Sequence, residues 1–246
     1  MARRRKSSGG AGRGLAALAV LAAVGAGAWY VARHRHVDWS GLLPSTRHPV
    51  AVNPAANNAS GVVTASASHV DPANEGRRVR VEGSLRVARP ARDADLGVQA
   101  DALVLLRSVQ MRQWRETCSA NACEYALAWS DRPVDSQAFR VAAGHANTTP
   151  FPFSNQRFPA AEARLGAYVV EPVAALAQGT PTPLAVDLSQ LPPNLAASFR
   201  AEEGALLTGD AAHPAQGDLR VRYATIAAGP RALTGMQRGG KLVLDH

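Results

Sequence analysis

The sequence is poor in the residues that carry redox and metal chemistry. It contains two cysteines, Cys118 and Cys123, and two lysines, Lys6 and Lys241, in 246 residues. The cysteine spacing in CSANAC does not match the CxxC redox or zinc motifs, and no nearby histidine completes a metal set. We therefore expect no cofactor and no metal. In an oxidising compartment two close cysteines favour a structural disulfide, with free thiols as the alternative.

A strong basic excess is also missing from most of the chain, although the formal net charge is +8. Five of the 27 basic residues lie within the first 13 positions, which leaves 22 basic against 19 acidic residues, or +3, for the rest. The remaining arginines are scattered rather than clustered on one segment. This distribution argues against a nucleic-acid partner.

Long apolar runs are absent except for one. Residues 14–32 form 19 consecutive positions without a charge, which as a helix would reach about 28 Å, enough to cross a bilayer. We predict a transmembrane helix there. The basic residues before it predict that residues 1–13 stay cytoplasmic and that the remainder is exported. A cleaved secretory signal is the alternative, because Ala26-Gly27-Ala28 fits a small-residue cleavage site.

After this run the composition predicts two regions. Residues 33–69 are rich in Pro, Ala, Asn and Ser and are predicted to be a flexible linker. Residues 70–246 are predicted to form a single exported domain. High alanine and arginine with little lysine suggests a GC-rich bacterial genome, so this domain is expected in the periplasm or outside the cell.

Alternation of apolar and polar residues dominates the exported part. It predicts strands within residues 77–83, 102–116 and 124–129, the last two paired as a hairpin whose connection carries both cysteines. A helical turn is predicted at 171–178 and a helix at 192–203. The fold class is therefore mainly β (α+β), with one N-terminal transmembrane helix and a mostly antiparallel β domain.

Several segments, in the same order from Val70 to Ala227, resemble the transmembrane protein 43 family. They are NEG in the entry to the first strand, LRSVQMRQWRE in the longest strand, WSDRPVDSQAF, GHAN, and GDLRVRY. The residues that match the family motifs are Asn74, Glu75, Gly76, Arg107, Met111, Gln113, Trp114, Glu116, Trp129, Ser136, Phe139, His145, Asn147, Gly217, Asp218, Arg220 and Tyr223.

The resemblance implies an N-terminal span, a large non-cytoplasmic domain, and a role in organising membrane-protein complexes without catalysis. Two departures stand out. Gln110 and Arg112 occupy positions where the family motif has Glu and Tyr, and the family's C-terminal cluster of spans has no counterpart in this sequence. We expect the lipid bilayer and membrane or envelope proteins, including further copies of the chain, as partners.

Two other functions fit individual residues. A periplasmic hydrolase would use His145 with Asp135 or Asp218, but no nucleophile motif accompanies them, so turn-forming roles are favoured. A cell-wall or lipid-binding module would use Trp114 and Trp129, which are otherwise expected to be cross-strand or core aromatics. Three arginines of the longest strand could form an anion patch, although a solvated strand face is favoured: Arg107, Arg112 and Arg115.

Overall fold

A computed structural model describes residues 37–43 and 61–245 of the chain. From Trp39 onward these residues belong to one compact unit. The predicted cytoplasmic segment 1–13 and membrane span 14–32 lie outside the described residues and stay predictions. None of the helices in the described ranges is both long and apolar enough to cross a membrane.

The described part is mainly β, as predicted, and contains little helix. The strands are β1 (Val63–Ala65), β2 (Arg78–Arg89), β3 (Ala91–Arg92), β4 (Gln99–Ala100), β5 (Val104–Cys118), β6 (Cys123–Ser130), β7 (Gln156–Pro159), β8 (Glu162–Leu165), β9 (Tyr168–Glu171), β10 (Thr182–Leu184), β11 (Arg200–Glu202), β12 (Ala205–Leu207), β13 (Leu219–Ile226), β14 (Gly229–Arg238) and β15 (Lys241–Leu244). The helices are α1 (Pro193–Ala196) and short 3₁₀ helices at Ser40–Leu42, Pro72–Asn74, Ser136–Ala138, Val173–Leu176 and Leu188–Gln190.

The first sheet closes on itself. Its strands follow the order β2, β14, β15, β9 and β8, and β8 pairs back with the second half of β2. The first half of β2 pairs with β14 on one edge and with β1 on the other. Two of these pairings, β1 with β2 and β15 with β9, are parallel, and the others are antiparallel.

The second sheet is built around two long strands, β5 and β13, which pair antiparallel from Val104 to Met111. The other edge of β13 pairs with β10 and β12, and β11 extends the sheet beyond β12. The other edge of β5 pairs first with β7 and then with β6. Beyond Met111, β5 and β6 continue as a hairpin, as the sequence predicted.

Both faces of the inner half of β5 are buried, which explains its continuous apolar run. Val104 and Leu106 belong to one core cluster with the closed sheet, whereas Leu105, Val109 and Met111 belong to a second cluster. Alternate side chains of a strand point to opposite faces, so one strand serves both cores. Polar side chains on this strand must therefore find partners or lie beyond the core.

The predicted linker is wrong at its C-terminal end. Val63 to Ala65 pair with Val79 to Val81 of β2, and Val63 and Ala65 pack against the first core cluster. Ordered structure thus begins before Val70. The sequence pattern was misleading because a three-residue strand is too short to show alternation. Residues 33–36 and 44–60 of the predicted linker lie outside the described residues.

The helix predicted for residues 192–203 is much shorter than expected. It ends at Ala196, and Arg200–Glu202 forms β11 instead. Phe199, next to β11, is 4% exposed and belongs to the second core cluster. Burial of that ring and pairing with β12 therefore override the local helical preference. The helical turn predicted at 171–178 is present as the 3₁₀ helix Val173–Leu176.

Candidate functional site

A buried ion pair lies under the inner half of β5. Arg107 is 1% exposed, and its Nη1 lies 2.7 Å from Oδ2 of Asp93, which is 0% exposed. The same nitrogen lies 3.0 Å from Oδ2 of Asp95. A solvated face and an anion patch are therefore both wrong for Arg107. Its side chain points into the second core, where a charge needs a partner.

The other donors of Arg107 hold a distant segment. Its Nε donates to the carbonyl oxygen of Ser154 at 3.0 Å, and its Nη2 donates to Oε1 of Gln156 at 3.1 Å. The guanidinium also lies 5.6 and 5.2 Å from the ring centroids of Phe153 and Phe158. One arginine thereby fixes residues 93–95 and 153–158 onto the same strand.

Tyr223 completes this buried network from the neighbouring strand. It lies opposite Arg107 in the β13–β5 pairing, and its hydroxyl donates to Oδ2 of Asp93 at 2.6 Å. Burial, and next the hydrogen bond to Asp93, raise the pKa of Tyr223 above its ordinary value. Two motif residues that are 116 positions apart in the chain, Arg107 and Tyr223, therefore share one buried carboxylate.

This arrangement predicts an alkaline loss of stability. The pKa of Tyr223 is raised in the folded state, so its hydroxyl ionises at lower pH in the unfolded chain than in the folded chain. The contribution of Tyr223 to the free energy of unfolding is therefore complete below about pH 10 and is lost as the pH rises further. Urea unfolding at pH 8 and pH 11 measures the decline. The decline should be smaller in Tyr223→Phe than in wild type, and an equal decline in both proteins would contradict the assignment. Comparison of the two proteins is needed because the pKa values of Tyr125 and Tyr168 are also raised.

The outer half of β5, beyond the first residue of β13, is held by side chains of the loop that follows β6. Asn147 Oδ1 accepts from the backbone N–H of Trp114 at 2.8 Å, and Asn147 Nδ2 donates to the Trp114 carbonyl at 3.0 Å. Gln113 Oε1 accepts from the backbone N–H of Val134, and Ser136 Oγ accepts from that of Asn147. These motif residues thus anchor the segment 131–147, here called the hairpin-covering loop, to β5.

An aromatic cluster covers the tip of the same hairpin. His145 stacks on Tyr125 at 4.1 Å between ring centroids and meets Trp114 edge-on at 4.8 Å, while Phe139 lies 6.0 Å from Tyr125. Tyr125 donates to Oε1 of Glu116 at 2.6 Å. That hydrogen bond is the main reason that the pKa of Glu116 is lowered. Five residues from three segments therefore define one surface.

A disulfide joins Cys118 and Cys123 at the end of this hairpin, where the two residues face each other in the register. In the chain-entropy model, closing so short a loop lowers the entropy of the unfolded chain and raises the free energy of unfolding by about 2 kcal/mol. We expect the Cys118→Ser/Cys123→Ser double variant to lose about that much unfolding free energy in urea. Reduced wild type should match the variant. Equal stability of oxidised wild type and variant would contradict the expectation.

Trp129 lies opposite Arg112 in the β5–β6 pairing, on the same face of the second sheet as Trp114. Two arginines contact its ring. The Arg220 guanidinium carbon lies 4.4 Å from the Trp129 ring centroid, and that of Arg112 lies 5.9 Å away. Gln110 Oε1 accepts from Nε and Nη2 of Arg220 at 3.0 and 2.7 Å. We call Gln110, Arg112, Trp129, Arg220 and the adjacent Arg222 the arginine–tryptophan face.

The motif residues before β2 form a turn. Asn74 is 7% exposed, and Glu75 accepts from the backbone N–H of Gly239 at 2.9 Å. Gly76 has φ of +73°, a left-handed conformation that favours glycine, and its N–H donates to the carbonyl of Gln237. These contacts tie the start of β2 to the end of β14.

The motif residues before β13 also serve the backbone. The Gly217 N–H donates to the carbonyl of Arg112 at 2.8 Å. Asp218 accepts from Thr208 Oγ1 and from the backbone N–H of Ala215. The hydrogen bonds of Asp218 are therefore turn contacts, whereas Arg220 bonds to Gln110.

The residues considered for hydrolysis are committed to other contacts. His145 Nδ1 lies 3.2 Å from the carbonyl oxygen of Val141. The His145 ring also stacks on Tyr125 and meets Trp114 edge-on. Asp135 accepts from the backbone N–H of Gln137. Within residues 37–43 and 61–245, no hydrogen bond or ion pair joins His145 to Asp135 or Asp218. The geometry does not assemble the predicted hydrolase set.

One group of possible metal ligands is present in the described ranges, namely Glu116, Cys118 and Cys123. Both sulfur atoms are spent in the disulfide, so they are not available as thiolate ligands. This group gives no support for a metal site at the hairpin tip.

Sequence reasoning missed Asp93 and Arg222, and it named Gln110 only as a departure from the family motif. Asp93 belongs to the segment between β3 and β4, which shows no periodicity. One signal was available: a single arginine inside the apolar run LVLLRSV requires a buried counter-charge. Gln110 and Arg222 gave no signal of their own, because alternating polar residues on a strand are ordinarily solvated.

The described part is thus a mainly β domain in which the shared motif residues build loops and one sheet face. A family model for Transmembrane protein 43 matches residues 109–244. The chain belongs to the transmembrane protein 43 family. Four of the motif residues precede the matched region: Asn74, Glu75, Gly76 and Arg107.

Curated relatives agree over a shorter region. Transmembrane protein 43 of Rattus norvegicus is 34% identical over 108 residues, which is 39% of this chain and 27% of the relative. The homolog of Drosophila melanogaster is 32% identical over 95 residues, and that of Homo sapiens is 32% identical over 99 residues, each covering 25% of the relative. They cover 33% and 35% of this chain. The match therefore spans about a quarter of these relatives, and no solved structure matches.

Proposed function

We propose that this chain is a non-enzymatic single-pass membrane protein whose exported domain binds or organises membrane-protein partners in the envelope. The observation that carries the proposal is the use of the motif residues at the hairpin. The side chains of Gln113, Ser136 and Asn147 form hydrogen bonds that hold the hairpin-covering loop in place. Residues that fix the shape of a surface are what a binding domain requires.

The proposed topology places residues 1–13 in the cytoplasm, a span at 14–32, and the β domain in the periplasm or outside the cell. Five basic residues before the apolar run support this orientation. The disulfide between Cys118 and Cys123 supports it independently, because such bonds persist in oxidising compartments.

The proposed contact surface includes the exposed side of the hairpin-covering loop. Val141 is 50% exposed and offers an apolar side chain at the surface. Its backbone N–H is held by the Tyr125 hydroxyl at 2.9 Å, so its position is fixed by the aromatic cluster. A pre-positioned apolar side chain loses little conformational entropy when a partner covers it.

Photocrosslinking in native membranes tests this proposal. A photoreactive residue at Val141 should yield discrete adducts that persist when residues 14–32 are exchanged for an unrelated span. A photoreactive residue at Arg89, which is exposed on the first sheet, serves as the matched control. Adducts that are lost with the span exchange, or that are the same from both positions, would contradict a role for this surface.

A further inference from the structure

A cavity of about 240 Å³ opens beside the arginine–tryptophan face. Its lining includes Trp129, Leu207, Thr208, Arg220 and Arg222. In the register, Leu207 lies opposite Arg220, which lies opposite Gln110, so these side chains share one face of the second sheet. The volume is below that of a drug-sized site and suits a small polar group.

The positive charges of the arginine–tryptophan face have no ion-pair partner in the described part of the chain. Arg220 and Arg222 line the cavity, whereas Arg112 lies over Trp129 outside the cavity lining. Arg112, Arg220 and Arg222 are half-buried, and none of them forms an ion pair with a residue in the ranges 37–43 and 61–245. Arg112 Nε is buried and has no hydrogen-bond partner there. A buried donor without a partner is costly in a folded protein and calls for an acceptor.

The lowered pKa values of Arg220 and Arg222 also favour an anion at the arginine–tryptophan face. Burial, and next the charges of Arg222 and Arg112, lower the pKa of Arg220 to about 10. Burial also lowers the pKa of Arg222, although the charge of Glu203 opposes that shift. An anion placed among these groups would relieve both the desolvation and the mutual repulsion.

Three carboxylates also line the cavity, but none of them forms an ion pair with Arg112, Arg220 or Arg222. Asp210 accepts from the backbone N–H of Ala212 and lies 3.2 Å from His213 Nδ1. Glu202 and Glu203 also line the cavity but lie beyond ion-pair distance of the three guanidiniums. Arg220 lies over Trp129 at the cavity, and Arg112 lies over the same ring.

We propose that this cavity binds a phosphate group, either free phosphate or the phosphate of a lipid headgroup. Arginine side chains recognise phosphate oxygens through charge-assisted hydrogen bonds in a fixed fork geometry. Trp129 and Gln110 hold the Arg220 guanidinium in place before a ligand arrives. This activity is independent of the proposed organising role, since it uses a different part of the face from the hairpin-covering loop.

Isothermal titration of the detergent-solubilised full chain tests the proposal with two probes, inorganic phosphate and glycerol phosphate. Binding is expected for wild type, and Arg220→Gln and Arg222→Gln should each weaken it by about tenfold or more. Arg115→Gln is the matched control. Arg115 is exposed on the same strand as Arg112 but points to the opposite face, so binding should stay within about twofold.

The two probes distinguish the source of the phosphate. Glycerol phosphate binding at least about tenfold tighter than inorganic phosphate would assign a headgroup, and similar affinities would assign free phosphate. Arg220→Lys keeps the charge but removes the fork, so weakened binding in this folded variant would still support the site. If neither probe bound, the proposal would be overturned. Equal weakening of binding in Arg115→Gln would overturn it as well.

Discussion

Replacement of Arg107 with methionine is expected to lower the free energy of unfolding by about 3–5 kcal/mol, because it leaves a buried carboxylate without its cation. Asp93 is 0% exposed, and the variant would leave it only its bonds from the Tyr223 hydroxyl and from the backbone N–H of Asp95. The variant would also remove the side-chain hydrogen bonds from Arg107 to the Ser154 carbonyl and to Gln156 Oε1. Urea unfolding of the full chain, followed by circular dichroism, measures the loss.

Two comparisons separate the buried charge from a general effect of the substitution. Arg115→Met changes an exposed arginine of the same strand and should alter stability by no more than about 0.5 kcal/mol. The double variant Arg107→Met/Asp93→Asn removes both charges and should recover part of the loss, since no uncompensated carboxylate remains. A single variant as stable as Arg115→Met, with no gain in the double variant, would rule out the ion pair as a stabilising element.

The hairpin of β5 and β6 could be predicted from the sequence better than any other part of the second sheet. Alternation in LVLLRSVQMRQWRE predicted the strand, and the alternate residues Val109, Met111 and Gln113 are all buried. The phase of Tyr125, Leu127 and Trp129 also agrees with the observed pairing to β5. Long strands in a hairpin carry their pattern and their partner within one short stretch of chain, so local information suffices.

Contacts between distant segments could not be predicted in this way. The pairing of β1 with β2 and the closure of the first sheet through β8 depend on register between short segments. Three or four residues carry too little alternation to fix a register. The same limit applies to the buried pair, because nothing local links Asp93 in a loop to Arg107 in a strand.

The motif residues illustrate what a family resemblance supplies and what it leaves out. It named Arg107, Gln113, Asn147 and Tyr223 as motif residues, but it gave no role for any of them. Their roles follow from burial and hydrogen-bond geometry: two serve a buried carboxylate, and two hold the hairpin-covering loop. These four motif residues therefore attach distant segments of the domain to one another.

Asn147→Ala should lower the free energy of unfolding by about 2–3 kcal/mol. The substitution removes bonds from its side chain to the Trp114 N–H, the Trp114 carbonyl and the Val134 carbonyl. Each such bond contributes about 1 kcal/mol net, and the partly buried Trp114 N–H would be left unpaired. Limited proteolysis should then cut within residues 131–147 faster than in wild type, because the hairpin-covering loop loses its central anchor.

A more conservative substitution tests the direction of these bonds. Asn147→Asp keeps an acceptor for the Trp114 N–H but replaces the amide donor with a second acceptor, which would face the Trp114 carbonyl. It should therefore be destabilising as well. Asn121→Ala, at the exposed turn between the cysteines, is the matched control and should change neither stability nor cleavage. If Asn147→Ala behaved like Asn121→Ala, the loop would be held by other contacts. The family-shared asparagine would then have to act at the surface itself.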